Sequence, residues 1–327
     1  MHESCVRDWH GATGFPRVVA TALIGEQKHE YSYVGCWNRK GERRAEGPGE
    51  MRQAHGICLE PDGNLLICDS ILSRVYRYTP QGGYLGEIGS GPGAKPGSFG
   101  GPRNIDVSES GEIFVADGDL HRIQVFAPDG EFLRAWGQKG RGSQELRRPH
   151  ALALGPGETV VVADVDNHRV IVYDRYGKHL RHWGRRGTGK REFHAPHGLA
   201  IDPNGDIFVT EYHGRCQKFT PEGRFLYAFA NQSVEGGKSH GDFHYHDMTS
   251  DRQGNLYLLS RNTRKHLEHS VDKYNNSGEF ITRISLPAHE ERRFGAKGAA
   301  VSPRGRIFVT DTMGDFAGVS IFDPSGP

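Results

Sequence analysis

Six residues stand along this chain at nearly constant spacing, and four of them are histidines: His55, Arg103, His150, His197, His246 and Lys297. The steps between them are 48, 47, 47, 49 and 51 residues. Imidazole is a ligand for zinc, copper, iron or nickel, and guanidinium and ammonium groups hold oxyanions. If one structural unit recurs with this period around a closed ring, all six side chains face a common axis. His55, His150 and His246 then come from alternate units, and three neutral imidazoles so spaced can hold a Zn²⁺-like divalent transition metal with a fourth position open, although the ligands alone do not name the metal. Arg103, His197 and Lys297 occupy the intervening units as substrate-binding groups, with His197 as the alternative fourth ligand.

The elements that carry these residues are short strands. Copies such as FGGPRNIDVSESGEIFVADGDLHRIQVFAPDGEFLRAWG and RRPHALALGPGETVVVADVDNHRVIVYDRYGKHLRHWG each read strand, turn, strand, loop, strand, turn, strand. Turns such as PDGN, PNGD and APDG put Asn-Gly or Asp-Gly chemistry between apolar runs, and IFVAD, VVVAD and IFVTD are rich in β-branched and aromatic residues. Four antiparallel strands in one repeat make a propeller blade, and six copies predict an all-β, six-bladed β-propeller. The last copy, ending FDPSGP, has three strands. YSYVGCW (31–37) looks like FLRAWG and supplies the fourth, closing the ring from the N-terminus. The expected organisation is an N-terminal extension over 1–30 and one propeller over 31–327.

In an antiparallel blade the start of the first strand and the end of the second lie at the same end. The loop EYHGR therefore brings Tyr212 and His213 to the ring, with Tyr212 as the candidate general base. Blade five departs from the repeat at LLSRNTRKHLEHSVDKY, where Arg261 follows the second strand and joins Arg103 and Lys297 in a cationic collar. Arg264, Lys265, His266 and His269 read as a solvated loop. Such a collar suits a small anionic substrate, a carboxylate for example.

The copies resemble the NHL repeat, whose Asp and Arg recur as Asp69 with Arg74, Asp117 with Arg122 and Asp164 with Arg169, and in shortened form as Glu211 with Arg215; these pairs read as braces of each second hairpin. More specifically, AHGICL, RRPHALAL and YHDMTS resemble the zinc-ligand motifs of the peptidylglycine amidating lyase catalytic core, in the same order and blade spacing. The resemblance covers about residues 50–260. It implies a catalytic zinc on His55, His150 and His246 and a structural calcium near Asp247. The family's catalytic Tyr position falls at Asp119 here, and its catalytic Arg position at Val165. The implied function is a metal-dependent lyase, with a hydrolase second, acting on a substrate other than an amidation precursor.

Composition limits the alternatives. With 41 Lys+Arg against 40 Asp+Glu, bulk charge selects neither nucleic acid nor membrane as partner. Local basic runs (Lys139, Arg141, Arg147, Arg148, Arg185, Arg186, Lys190 and Arg191) keep open a non-catalytic platform for RNA or protein, as in other NHL propellers. Streptogramin-lyase-like propellers also use channel histidines with a divalent ion, but have a seventh blade. Lactonase-like propellers use Glu, Asn and Asp on calcium, and no carboxylate stands at the six aligned positions here. Five cysteines without CxxC spacing and an N-terminus without an apolar core suggest a reduced, cytoplasmic protein.

Overall fold

A computed structural model describes residues 31–38, 48–212, 214–230, 243–262, 269–286, 295–313 and 316–325. The expected extension over 1–30 lies outside them, as do His213, Arg264, Lys265 and His266. Six four-stranded antiparallel sheets form the blades of an all-β propeller. Blade one is Ala54–Leu59, Leu65–Asp69, Arg74–Tyr78 and Tyr84–Ile88, and blade two starts at Pro102–Val107, blade three at Pro149–Gly155, blade four at Pro196–Ile201 and blade five at Phe243–Ser250. Blade six takes Gly298–Val301, Ile307–Met313 and Phe316–Pro324 from the C-terminus, and its outer strand is Tyr31–Asn38, paired antiparallel with Phe316–Pro324. The expected closure is therefore present.

Second strands such as Leu65–Asp69, Ile113–Asp117 and Ile207–Glu211 are buried along their whole length, which is why they carry no polar alternation. In blades two to four the outermost strand ends on a bulky side chain that lies on a glycine of the next blade. Trp136 covers Gly177, Trp183 covers Gly223 and Phe229 covers Gly278, each glycine at φ between 80° and 88°. Trp37 covers Gly82 in the same way, so the N-terminal strand docks blade six onto blade one by the contact that joins blades two to five.

Polar bonds stitch the same seams. Asn104 Oδ1 accepts the Leu152 N–H at 3.1 Å, and Thr310 Oγ1 donates to the His55 carbonyl at 2.6 Å. Asp247, one residue past its ring histidine as Asn104 is past Arg103, accepts the backbone N–H groups of Met248 and Ala299. Its carboxylate thus belongs to a seam between blades five and six. The described cysteines are free, and Cys58 stands opposite Leu66 rather than Cys68. Among the described residues no helix is long and apolar enough to cross a membrane.

Two predictions test these seams. At Gly63 (φ +91°) a Cβ would meet nothing within 4 Å, so Gly63→Ala should cost only the left-handed conformation, about 1–2 kcal/mol. At Gly82 (φ +88°) a Cβ would meet the Trp37 ring at 2.5 Å, adding roughly 1–3 kcal/mol of overpacking. Equal losses in denaturant titration would mean that Trp37 does not seat on Gly82. Burial pushes the Asp247 carboxyl up to about 7, against two N–H bonds that lower it. The folded chain then holds a proton that the unfolded chain has released, so stability falls as pH rises from about 4 through 7. Asp247→Asn, the residue type blade two uses, should raise the melting temperature by a few degrees at pH 8 and match the parent at pH 4. A calcium ion held by this carboxylate would reverse the sign at pH 8.

Candidate active site at the mouth of the ring

Each approach to the ring is fixed before the ring residue is reached. Asp69 accepts the Gln53 N–H at 3.1 Å, Asp117 those of Gly100 and Gly101 at 3.0 Å, Asp164 that of Arg147 at 2.6 Å, and Glu211 that of His194 at 2.7 Å. The arginines paired with these carboxylates hold the connection arriving from the previous blade. Arg169, 2.8 Å from Asp164, donates to the carbonyls of Arg141, Gly142 and Glu145, and Arg122 and Arg215 cap the corresponding loops. The pairs therefore do more than brace a hairpin: they deliver the ring residue. Blade one departs, since Arg74 pairs with Glu87 and Asp69 gives its carboxylate to backbone N–H groups. In blades one to five the pairing register slips at the ring position, a bulge that re-aims the side chain.

The structure brings all four ring histidines together. His55, His150 and His246 are buried at 5%, 8% and 7% exposure, and His197 is half-buried. Ring centroids lie 5.0 Å apart for His55 and His150, 3.8 Å for His150 and His197, and 5.9 Å for His197 and His246. His55 Nδ1 is 2.8 Å from the Arg103 carbonyl, His150 Nδ1 3.3 Å from that of His197, and His197 Nδ1 3.3 Å from that of His246. A carbonyl accepts only, so Nδ1 carries the proton and Nε2 keeps its lone pair.

Burial is the first cause holding all four imidazoles neutral. For His55 and His246 the next cause is the Lys297 ammonium, and for His150 the neighbouring His197 and His55. Burial likewise depresses His197 to about 3, against the His246 carbonyl, with Lys297, Arg148 and Arg103 adding to the depression. Lys297 itself is pushed down to about 8 by burial and then by Arg261 and Arg103.

The remaining predicted residues line the same mouth. Arg103 pairs with Asp119 at 3.0 Å, while its Nε is buried without a partner among the described residues. Arg261 lies within the strand Leu256–Asn262, opposite His244 and His269. His269 is buried at 5% exposure on the next strand, so the solvated-loop reading fails for it; the blade-five strands run longer than the repeat suggested. Tyr212 stacks 4.2 Å from His244, with His197 at 5.4 Å and His246 at 6.0 Å. His244 was missed from sequence, although it stands two residues before His246 on the same strand. Val165 is buried at 1% exposure. Among the basic loop residues, Arg148 pairs with Asp166 and Arg185 with Glu192.

The donor set suits a transition metal in type and charge, and in tautomer at His55, His150 and His197. Two imidazoles on one tetrahedral zinc would have centroids about 5 Å apart, the spacing of His55 and His150. As the rings stand, no three His, Cys, Asp or Glu side chains among the described residues already form an ion cage.

Residues 146–173, the first three strands of blade three, match the NHL repeat. No curated protein matches the chain significantly. Solved structures share the fold at low identity. Streptogramin B lyase is 11% identical with a TM-score of 0.59, over 89% of this chain and 98% of its own. Virginiamycin B lyase from Staphylococcus aureus is 12% identical with a TM-score of 0.58, over 91% and 90%. A gluconolactonase from Xanthomonas campestris is 13% identical with a TM-score of 0.60, over 84% and 86%. The likeness is thus to lyase and lactonase propellers rather than specifically to the amidating lyase, and at these identities it shows the fold alone; the six four-stranded sheets and the NHL repeat at 146–173 make the chain a six-bladed β-propeller of NHL type.

Proposed function

We propose that this protein is a metal-dependent lyase acting on a small anionic substrate at the mouth of the ring. One observation carries the reading: the neutral imidazoles of His55, His150 and His197 spend Nδ1 on backbone carbonyls and leave Nε2 free, the second-shell arrangement that orients metal-ligating histidines, which also keeps His197 as the alternative fourth ligand. His55, His150 and His246 would hold the ion, which when bound supplies Lewis-acid polarisation of a substrate oxygen. The enzymes among the structural neighbours are lyases and gluconolactonases, which supports an enzymatic propeller, and a His→Ala form of the virginiamycin B lyase is catalytically inactive.

The chain's own groups divide the remaining work. Burial and then the charges of Arg261 and Arg103 depress the Lys297 ammonium, and an anionic substrate group would relieve that repulsion. Arg103, half-committed to Asp119, and His197 complete the substrate wall. Tyr212, packed on His244 beside His197 and His246, would act in its phenolate form, accepting a proton at Oη from a substrate carbon or oxygen. With carboxylates absent from the six ring positions, the calcium chemistry of Glu, Asn and Asp has no support here.

Elemental analysis of the purified protein should find about one zinc or other transition metal per chain, lost in His150→Ala with the fold retained by circular dichroism. Tyr212→Phe should keep the metal and lower kcat on a responsive carboxylate substrate by about 10²–10⁴-fold. A parent chain that is metal-free and cannot be reloaded would end this reading.

A further inference from the structure

The outermost strands of blades one to five share one plan. In four of them the first residue is an aromatic ring packed against an aromatic side chain of the third strand. Tyr84 meets Tyr78, Phe132 meets Phe126, Phe225 meets Phe219 and Phe280 meets Tyr274, edge to face at centroid distances of 5.6–6.0 Å. In blade three that ring is the imidazole of His179, 6.3 Å from Tyr173. The pairing register slips directly after this first residue in all five blades. Residues three apart on a regular strand face opposite ways, and the extra residue of a bulge brings them to one face.

The fourth residue of the strand therefore comes up beside the first. In blade one it is Glu87, and burial and then its carboxylate push the Tyr84 hydroxyl up. In blades two and four it is Ala135 and Ala228, and in blade five Arg283. In blade three it is His182, and of the five strands only this one carries an imidazole at both places. The packing role of His179 is met by phenylalanine in three blades and calls for no second histidine.

His179 Nε2 lies 3.1 Å from His182 Nδ1, with ring centroids 5.2 Å apart. Two nitrogens bound to one metal at roughly 2.0–2.1 Å stand about 3.3 Å apart at a tetrahedral centre and about 2.9 Å apart at a square one. The observed separation falls between these values. Burial and then the Arg169 guanidinium hold both imidazoles below the usual histidine range, so both are neutral near pH 7. Arg169 is itself paired with Asp164 at 2.8 Å, which compensates its charge. His182 is exposed and His179 half-buried, so water reaches the pair.

We propose that His179 and His182 form a metal site on the outer rim of blade three, taking a divalent transition metal of the nickel, copper and zinc group. Imidazole nitrogen suits these ions, and water completes the coordination. The proton that the two rings share moves to the other nitrogen of the ring that carries it. Both imidazoles then bind as neutral ligands and no proton is released. His179 stands three strands out from His150, roughly 14 Å at the spacing of a sheet, so this site is separate from the ring. It stands whether or not the ring holds a metal.

Calorimetric titration of the full chain with Ni²⁺ near pH 7.5 tests this, with His179→Phe and His182→Ala beside the parent. Both substitutions install residues that other blades carry at these places, so the metal-free melting temperatures should stay near that of the parent. Each variant should take up one Ni²⁺ per chain fewer than the parent, and His150→Ala should keep that equivalent. Equal uptake by the parent and both variants overturns the proposal. So does a loss in only one of the two, or an equivalent that His150→Ala removes as well.

Discussion

A carboxylate at the end of each second strand, out of water and bonded to backbone N–H groups, carries the ring in blades one to four. Asp117 and Asp164 are wholly buried, and each is compensated by a guanidinium and by N–H groups two or three residues before a ring residue. Removing one partner of such a pair leaves a buried charge, a loss of about 3–5 kcal/mol. The same arginines hold the incoming loop by three carbonyls, so one ion pair fixes both where a blade begins and how its first side chain meets the axis. The precision of the mouth follows from these pairs rather than from contacts among the ring residues themselves.

Closure imposes the second constraint. A propeller blade cannot bury both faces alone, and each relies on the next. The aromatic-on-glycine contact repeats from Trp136 to Phe229, and Trp37 reproduces it with Gly82. Because Thr310 also bonds the His55 carbonyl, blade six is joined to blade one at the axis as well as at the rim. The closing strand Tyr31–Asn38, blade six and the first ring histidine therefore form one mechanical unit.

At the mouth, burial and charge act together. Lys297, Arg103 and Arg261 raise the local positive potential, and that potential with desolvation keeps the four imidazoles unprotonated. Neutral imidazoles among fixed cations make a site that gains by accepting an anion, and those of His55, His150 and His197 keep their Nε2 lone pairs for an ion. A carboxylate-rich ring would have inverted this field and favoured oxygen-ligated calcium.

Repeat number, strand order, ring closure by 31–37 and the six axial residues were all legible in the sequence, because a period near 47 residues and paired turn signals over-determine a propeller. The grouping of Arg261 and Tyr212 with the ring was legible too, since alternation along antiparallel strands fixes which ends share a face. Sequence could not give the service of the Asp–Arg pairs to the ring approach, as their partners are backbone groups sixteen or seventeen residues upstream with no side-chain signature. Nor could it show that Asp247 faces a seam, that His269 is buried on a lengthened strand, or that a bulge brings His179 and His182 together. Those follow from which blades are neighbours and from where each bulge turns a side chain, and only the closed ring decides both.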